Sequence, residues 1–184
     1  MKFGPPSIVE IPTLITDRLV LRSWLARDVG PYTAMAADPE MSRYTGSPAS
    51  EAAVWRMTAF QIGHWALRGY GMWIAEDRGT GQFVGRVGLY EEYGWAGLEV
   101  AWTIRRDQWG HGLATEGGAA ALEYGFATTD RDHIISIIHP DNAASSRVAE
   151  KLGLTVDHLE EIDGEPRNIW TITRSNWQAA YRAP

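Results

Sequence analysis

Cysteine is absent from the 184-residue chain. Its absence excludes disulfide bonds, thiolate metal sites and a mechanism that uses a cysteine nucleophile. Five histidines are present, but none belongs to an H-x-x-x-H pair or an H-E-x-x-H motif, so the sequence predicts no metal site. Because it also has neither a signal-peptide core nor a run of about 18 apolar residues, we expect a soluble, cytoplasmic protein with no membrane partner.

Positive charge is also scarce. The chain has 17 Lys and Arg against 23 Asp and Glu, for a formal net charge of −6. This balance argues against binding to nucleic acid and mildly favours cationic partners such as amines. With 45% hydrophobic and 22% charged residues, the composition is that of a globular protein, and the length predicts a single domain over residues 1–184.

A glycine-spaced segment, W-G-H-G-L-A at residues 109–114, lies past the middle of the chain and leads into a predicted helix. One face of that helix carries mostly small residues, namely Ala114, Gly118, Ala121, Leu122 and Gly125. Such a helix can lie close to a sheet, and its free N-terminal N–H groups favour an anion. We interpret residues 109–115 as a phosphate cradle, with a plain strand-to-helix turn as the alternative.

Two other kinds of phosphate loop do not fit this segment. No G-x-x-x-x-G-K-[ST] motif occurs, which argues against a nucleotide-hydrolysing P-loop. A dinucleotide fingerprint needs a third glycine where this chain has Thr115, and it normally follows an early strand. Another phosphate-bearing cofactor is therefore expected.

The hydrophobic pattern predicts a regular order of elements along the chain. One strand (18–24) is followed by two helices (about 26–37 and 50–67) with a loop at 41–48 between them, and the second helix has an apolar stripe at Trp55, Ala59, Ile62 and Ala66. Three strands (72–76, 82–90, 98–104) then form an antiparallel meander that leads into the cradle helix. A buried strand (134–138), a helix opened by residues 140–142, a hairpin (154–160, 167–173) and a short helix with Trp177 and Tyr181 complete the chain.

Five segments in this order resemble the GNAT N-acetyltransferases. They are T-D-R-L-V-L-R (16–22), F-V-G-R-V-G-L (83–89), L-E-V-A-W-T-I (98–104), W-G-H-G-L-A-T-E (109–116) and N-A-A-S-S-R-V-A-E-K-L-G-L (142–154). Within that superfamily they most resemble the ribosomal-protein-type protein N-terminal acetyltransferases. The resemblance implies an α+β fold with a central mixed, mostly antiparallel twisted sheet of about seven strands flanked by helices. The sheet would be splayed between the fourth and fifth strands.

The same resemblance implies an acyltransferase that uses acetyl-coenzyme A and no metal. The acceptor would be a primary amine, with a protein N-terminal α-amine as the first choice, and the transfer would be direct within a ternary complex. A small amine, such as an amino acid, a polyamine or an aminoglycoside, is the alternative acceptor. A coenzyme A-binding sensor without catalysis is the alternative from another functional class. The sequence leaves both a monomer and a homodimer open.

By resemblance, the coenzyme is held by two stretches of backbone. The pyrophosphate would contact the cradle residues Gly110, His111, Gly112, Leu113, Ala114 and Thr115, preceded by Trp109 where the family commonly has Gln or Arg. The pantetheine arm would pair with the strand residues Trp102, Thr103 and Ile104. His111, Arg105 and Arg106 are the nearest cations along the chain for the phosphate charge, unless they are solvated surface groups.

Three residues are candidates for the chemistry. Glu99, in an apolar strand beside Trp102, is the candidate base, directly or through water, because burial would raise the pKa of its carboxyl. By resemblance, Asn142 contacts the pantetheine region and Ser145 lies near the sulfur, where its hydroxyl could protonate the leaving thiolate. A structural role for Glu99 and helix capping by Asn142 and Ser145 are the alternatives.

Acceptor contacts are expected from two loops that flank the acceptor side in this fold. They carry Tyr44, Glu91, Glu92, Tyr93 and Trp95. A pair of glutamates there suits an ammonium or a basic peptide, although exposed loop glutamates commonly serve solubility alone.

Overall fold

Eight strands form one mixed sheet in the part of the chain that a computed structural model describes, residues 9–44, 46 and 50–181 (Tyr181 by its backbone). The strands are β1 (Leu14–Ile15), β2 (Leu19–Arg22), β3 (Met72–Asp77), β4 (Phe83–Tyr90), β5 (Glu99–Ile104), β6 (His133–Ile138), β7 (Thr155–Ile162) and β8 (Glu165–Thr173). Their order across the sheet is β1-β2-β3-β4-β5-β6-β8-β7. The predicted mixed sheet is confirmed, with β1 as a short additional edge strand. Predictions for residues 1–8, 45 and 47–49 lie outside the described residues.

Helices cover both faces of the sheet. They are α1 (Val29–Ala36), α2 (Pro39–Ser42), α3 (Glu51–Arg68), α4 (Leu113–Thr128), α5 (Ala143–Lys151) and α6 (Arg174–Tyr181). A 3-10 turn at Ala26–Asp28 precedes α1, so the helix predicted for 26–37 is real but irregular at its start. No helix among the described residues has the length and apolar character that crossing a membrane requires.

Helix α1 ends at Ala36, close to the predicted end at residue 37, but a further short helix follows directly. Asp38 is the N-cap of α2, and its carboxylate accepts a hydrogen bond from the Glu40 N–H at 3.0 Å. Proline is favoured in a first helical turn because its missing N–H would have no partner there. The two residues therefore start a one-turn helix that precedes the predicted loop and overlaps its first residues.

The apolar stripe predicted for the second helix faces outward. Trp55 is 60% exposed and Ile62 is 36% exposed, with Ala59 and Ala66 on the same exposed side. The buried side of α3 instead carries Val54, Thr58, Gln61, His64 and Trp65. This helix is apolar around much of its circumference, so periodicity alone did not identify the face that packs.

The sheet divides between β5 and β6. These parallel strands share a single register pair, Glu99 with Ile135, and the Ile135 N–H donates to the Leu98 carbonyl at 2.8 Å. Every other neighbouring pair of strands in the sheet is antiparallel. The splay predicted between the fourth and fifth of seven strands is confirmed at this place.

Helix α4 crosses from β5 to β6 and lies close against the sheet. A Cβ atom added to Gly125 would come within 2.9 Å of Ile134 Cδ1 on β6, and one added to Gly117 within 3.1 Å of Val87 Cγ2 on β4; at Gly118 it would meet Leu152 Cδ1, at the end of α5, at 2.8 Å. The small residues predicted for this face therefore permit the close approach. As a result, the N-terminus of α4 is held at the place where the two strands diverge.

Candidate active site

A cavity of about 470 Å³ opens where β5 and β6 diverge. It is lined by the end of β5, the segment that leads into α4, the first turns of α5, and residues of α2 with the segment that follows it. The predicted site residues in this lining are Tyr44, Trp102, Thr103, Ile104, Trp109, Gly110, Gly112, Leu113, Ala114, Thr115, Asn142 and Ser145. Most of the expected coenzyme contacts thus converge on one cavity, together with one residue expected on the acceptor side.

The cradle has an unusual backbone that suits an anion. Gly110 and Gly112 have φ values of +79° and +78°, in the left-handed region that glycine adopts with little cost. Gly112 is the N-cap of α4 and has no side chain with which to cap the helix. The N–H groups of the first turn, at Leu113, Ala114 and Thr115, therefore begin at the cavity wall with the positive end of the helix dipole.

The free edge of β5 offers hydrogen-bonding groups to the same cavity. The Arg105 N–H donates to the Val84 carbonyl on β4, whereas the Leu98 carbonyl accepts from β6. Because backbone direction alternates along a strand, the N–H and C=O of Trp102 point away from β4 into the opening. Those of Thr103 point toward β4. Of the predicted strand contacts, Trp102 therefore directs both backbone groups into the opening, and Ile104 directs its N–H the same way while its C=O accepts from Trp109.

Trp109 and Asn142 connect the cavity walls to the elements beside them. The Trp109 indole N–H donates to the Ile104 carbonyl at 2.7 Å, which joins the cradle to the end of β5. Asn142 is the N-cap of α5, and its Oδ1 accepts from the Ser145 N–H at 3.1 Å. The capping interpretation of Asn142 is therefore correct, while no described residue forms a hydrogen bond with the Ser145 hydroxyl.

Glu99 is buried at the point where pairing between β5 and β6 ends. Its side chain is 8% exposed overall, and its carboxylate accepts from Trp95 Nε1 at 2.9 Å and from the Ile137 N–H at 3.2 Å. In a continued parallel ladder that Ile137 N–H would donate to the Val100 carbonyl instead. The carboxylate thus replaces the next rung of the ladder, at the point where the strands diverge, and it is not part of the cavity lining.

Burial raises the pKa of Glu99 from 4.5 to about 7. The hydrogen bonds from Ile137 and Trp95 and the charge of Arg86 act in the opposite direction but do not cancel this effect. No described cation lies within ion-pair distance of the carboxylate. The group can therefore exchange a proton near neutral pH, as a general base requires.

Of the five residues predicted to contact the acceptor, one lines the cavity and four do not. Tyr44 does line it, and its hydroxyl donates to the Asp141 carbonyl at 3.2 Å. Glu91 is buried and forms an ion pair with Arg131 at 2.8 Å, and it also accepts from the Tyr70 hydroxyl. Its carboxylate is thereby engaged in a structural contact.

The other three lie on the exposed turn between β4 and β5. Glu92 and Tyr93 are exposed, Tyr93 fully, whereas Trp95 is half-buried against Tyr90 and Glu99.

The predicted phosphate cations also lie elsewhere. Arg105 is bound to Asp107 and to the Phe83 carbonyl, and Arg106 is 3.8 Å from Asp38. Both arginines line a second, shallower cavity of about 700 Å³ beside α1. The side chain of His111 is exposed, and His111 is not part of the lining of the first cavity.

Sequence reasoning missed the cations that do line the first cavity, Arg43, Arg147 and Lys151. Arg147 and Lys151 are four residues apart on α5, on the face that includes Ala144 and Val148. The same helical spacing that identified the apolar residues of α5 could have identified this cationic edge. Among the described residues, no group of three His, Cys, Asp or Glu is placed to hold a metal ion.

Comparison with known proteins gives a consistent family match. Residues 18–155 match the family described as "Acetyltransferase (GNAT) domain". The Bacillus subtilis protein YkkB is 34% identical over 149 residues, covering 77% of this chain and 84% of YkkB. The Bacillus subtilis "Uncharacterized N-acetyltransferase YoaA" is 29% identical over 148 residues, covering 77% of this chain and 82% of YoaA.

Solved structures share the whole architecture. An acetyltransferase from Agrobacterium tumefaciens superimposes with a TM-score of 0.81 and 26% identity, covering 94% of this chain and all of that one. An aminoglycoside acetyltransferase, AAC(6')-Ib with coenzyme A, has a TM-score of 0.76 and 19% identity, covering 90% and 99%. RimL, a ribosomal L7/L12 α-N-protein acetyltransferase with coenzyme A, has a TM-score of 0.74 and 14% identity, covering 87% and 96%. At these identities the last two show the fold alone.

Proposed function

The chain belongs to the GNAT acetyltransferase family, and from that premise we propose that it transfers an acetyl group from acetyl-coenzyme A to the N-terminal α-amine of a protein. One observation supports this proposal above the others. A single cavity combines an uncapped helix N-terminus, the free edge of a strand and the mouth of a second helix, and the same strand carries a buried carboxylate, Glu99. Acetyl-coenzyme A has matching parts: a diphosphate, an amide-containing arm and a reactive thioester.

The residues of the cavity fit the phosphate-bearing part of this molecule. The N–H groups at the start of α4 suit the diphosphate, because they have no competing side-chain cap. Trp102 would bond the amides of the pantetheine arm through its free N–H and C=O. Arg147 and Lys151 would balance phosphate charge that the cradle does not reach.

Three side chains carry the proposed chemistry. The coenzyme supplies the activated acetyl group. Glu99 accepts the proton from the ammonium form of the acceptor, directly or through water, because its pKa of about 7 leaves much of it ionised at neutral pH. The Ser145 hydroxyl donates a hydrogen bond toward the departing sulfur, and the proton that the thiol gains is the one the acceptor nitrogen loses on acetylation. Asn142 keeps Ser145 at the mouth of α5 through the capping hydrogen bond.

The acceptor proposal rests mainly on the motifs. RimL and AAC(6')-Ib, which act on a protein α-amine and on an aminoglycoside, share this fold, so the fold does not choose between the two acceptor classes. We keep Tyr44, Glu92, Tyr93 and Trp95 as proposed acceptor contacts. Glu91 is left out because Arg131 and Tyr70 already occupy its carboxylate.

Calorimetric titration with acetyl-coenzyme A, combined with an assay for released thiol over peptides and small amines, tests this function. Binding with turnover on peptide N-termini is the expected result. Turnover confined to small amines would show that the acceptor is a small amine and not a protein N-terminus. Binding with no turnover on any amine would favour a coenzyme sensor, and absence of binding would refute the donor site.

Two glycine variants isolate the cradle. Gly112 and Gly164 have the same φ of +78°, but Gly164 lies in the β7–β8 turn with open space around it. Substituting alanine at either position costs about 1–2 kcal/mol of left-handed strain. Only Gly112→Ala is expected to weaken acetyl-coenzyme A binding, by about tenfold or more, because it disturbs N–H groups that face the diphosphate. Equal affinities for the two variants would remove the cradle from the site.

A further inference from the structure

A second set of residues holds the cradle from the side opposite the cavity. Arg18, immediately before β2, donates through Nη1 to the His111 carbonyl at 2.6 Å and through Nε to Glu116 Oε2 at 2.6 Å. Its backbone N–H donates to Glu116 Oε1 at 2.7 Å, and the Thr16 hydroxyl donates to the same oxygen at 2.5 Å. Arg18 and Glu116 are 98 positions apart in sequence, so these contacts are a tertiary feature of the fold.

The bond to His111 determines how one cradle peptide is turned. Its peptide bond to Gly112 is trans, like all those in the described residues, so the His111 C=O and the Gly112 N–H point in opposite directions. Arg18 draws the carbonyl to the outer side of the loop. The Gly112 N–H is therefore directed to the other side, and Gly112 lines the cavity.

The contacts to Glu116 remove a charge conflict. A carboxylate in the first turn of α4 would repel a phosphate bound at that helix end. Here the Glu116 side chain is 16% exposed and is turned toward Thr16 and Arg18. Burial alone would raise the pKa of Glu116, but the hydrogen bonds from Thr16 and Arg18 lower it, so the carboxylate stays ionised and balanced by the guanidinium.

We propose that Arg18, Glu116 and Thr16 form a clamp that positions the cradle backbone to bind the diphosphate of the coenzyme. This inference rests on the proposed donor site. Arg18 is a positioning residue, since it acts through the His111 peptide and through Glu116. The clamp explains why the T-D-R-L-V-L-R and W-G-H-G-L-A-T-E segments belong to one site although they lie far apart in the chain.

Arg18→Ala tests the clamp against a matched control. Arg78 is also exposed and donates through Nη1 to the Thr16 carbonyl at 3.0 Å, in the same turn, but it has no hydrogen bond to the cradle. We expect Arg18→Ala to weaken acetyl-coenzyme A binding by about tenfold and to raise the KM for acetyl-coenzyme A similarly, with kcat little changed. Arg78→Ala should leave the affinity unchanged. Equal affinities for Arg18→Ala and wild type would overturn the proposal.

Arg18→Lys separates positioning from simple attachment of β2 to α4. Lysine keeps the ion pair with Glu116, but its ammonium lacks the two fixed, diverging N–H directions of the guanidinium, so it holds the His111 carbonyl less rigidly. Its melting temperature should stay near that of the wild type while the affinity falls at least about threefold. Wild-type affinity in this variant would refute the role of the His111 peptide. If the unmodified protein fails to bind acetyl-coenzyme A, the proposed donor site fails first and the clamp loses its ligand.

Discussion

Two buried glutamates stand at opposite ends of the connection between β4 and β5, and they differ in how their charge is balanced. Glu91 directly follows β4 and is 9% exposed, whereas Glu99 begins β5 and is 8% exposed. Arg131 holds the Glu91 carboxylate through contacts of 2.8 and 2.9 Å. Among the residues that the structure describes, Glu99 accepts only from the neutral donors Trp95 and Ile137.

The comparison shows that burial alone does not produce a reactive group. An ion pair with Arg131 satisfies Glu91 and fixes the neighbouring loop, so this carboxylate has a structural role. Without such a partner, the buried Glu99 has a pKa of about 7. The proposed base, Glu99, differs from Glu91 because it lacks a cationic partner among the described residues and lies where β5 and β6 diverge.

Glu99→Gln should have the largest effect in this comparison. Glutamine keeps the size of the side chain but cannot accept the proton, so kcat should fall by at least about 100-fold. Acetyl-coenzyme A affinity should change little, because Glu99 is not in the cavity lining. Turnover within a few-fold of wild type, measured by thiol release, would contradict its role as base.

The pH dependence of stability should follow from the same group. Since the folded-state pKa of about 7 exceeds the usual 4.5, the folded state binds the extra proton, and Glu99 therefore costs stability as the pH rises from about 4.5 to 7. Relative to Glu99→Gln, the wild type should lose about 3 kcal/mol of unfolding free energy over this interval.

Over the same interval kcat/KM should increase and level off above about pH 7. Urea unfolding and rate profiles across the pH range measure both effects. If the unfolding free energies of the wild type and Glu99→Gln change with pH in parallel, the raised pKa of Glu99 is refuted.

Unlike Glu99→Gln, which should reduce turnover, Glu91→Gln should reduce stability and leave turnover nearly unchanged. Loss of the charge leaves Arg131 without its partner, but the Arg131 side chain is 46% exposed and can be hydrated. We therefore expect a loss of about 1–2 kcal/mol in the free energy of unfolding and turnover within about twofold of wild type. A large loss of turnover at unchanged coenzyme affinity would show that the two carboxylates are not functionally distinct.

Trp95→Phe should have the smallest effect on activity, and it tests how the hydrogen bond from Trp95 influences the pKa of Glu99. Phenylalanine retains an aromatic contact with Tyr90, whose ring now meets Trp95 edge-on at 5.2 Å, but it lacks the indole N–H donor. Losing that donor should raise the pKa of Glu99 and move the acid limb of the rate profile upward by about half a unit. A shift to lower pH would contradict the assigned hydrogen bond.

Local signals in the sequence were sufficient for the cradle and the β3–β5 meander, whereas the complete sheet was implied by the family resemblance. Gly110 and Gly112 determine the local turn, and the small face of α4 is visible in its own helical spacing. The alternation of the β3–β5 meander is likewise visible within each strand. These features need no knowledge of distant contacts. They account for the meander and the helix that follows it, and the predicted cradle residues all reach the cavity except His111.

Features that depend on distant partners were not predictable from local pattern. Glu91 and Glu99 look alike in sequence, and the Arg131 that separates them is 40 positions from Glu91. Likewise, nothing near Arg18 indicates that it reaches the cradle. The exposed face of α3 was misjudged for a related reason, because the pattern describes one helix without the surface on which it packs.

Because one edge of β5 is unpaired, hydrogen–deuterium exchange of its backbone amides can show whether a ligand occupies the cavity. The Trp102 N–H, directed into the opening, has no β6 partner to slow its exchange with deuterated solvent. The N–H groups of Thr103 and Arg105, directed toward β4, are protected by the ladder whether or not a ligand is bound. Slower exchange at Trp102 without a change at Thr103 and Arg105 would therefore distinguish a ligand that extends the sheet from one that stabilises the whole molecule.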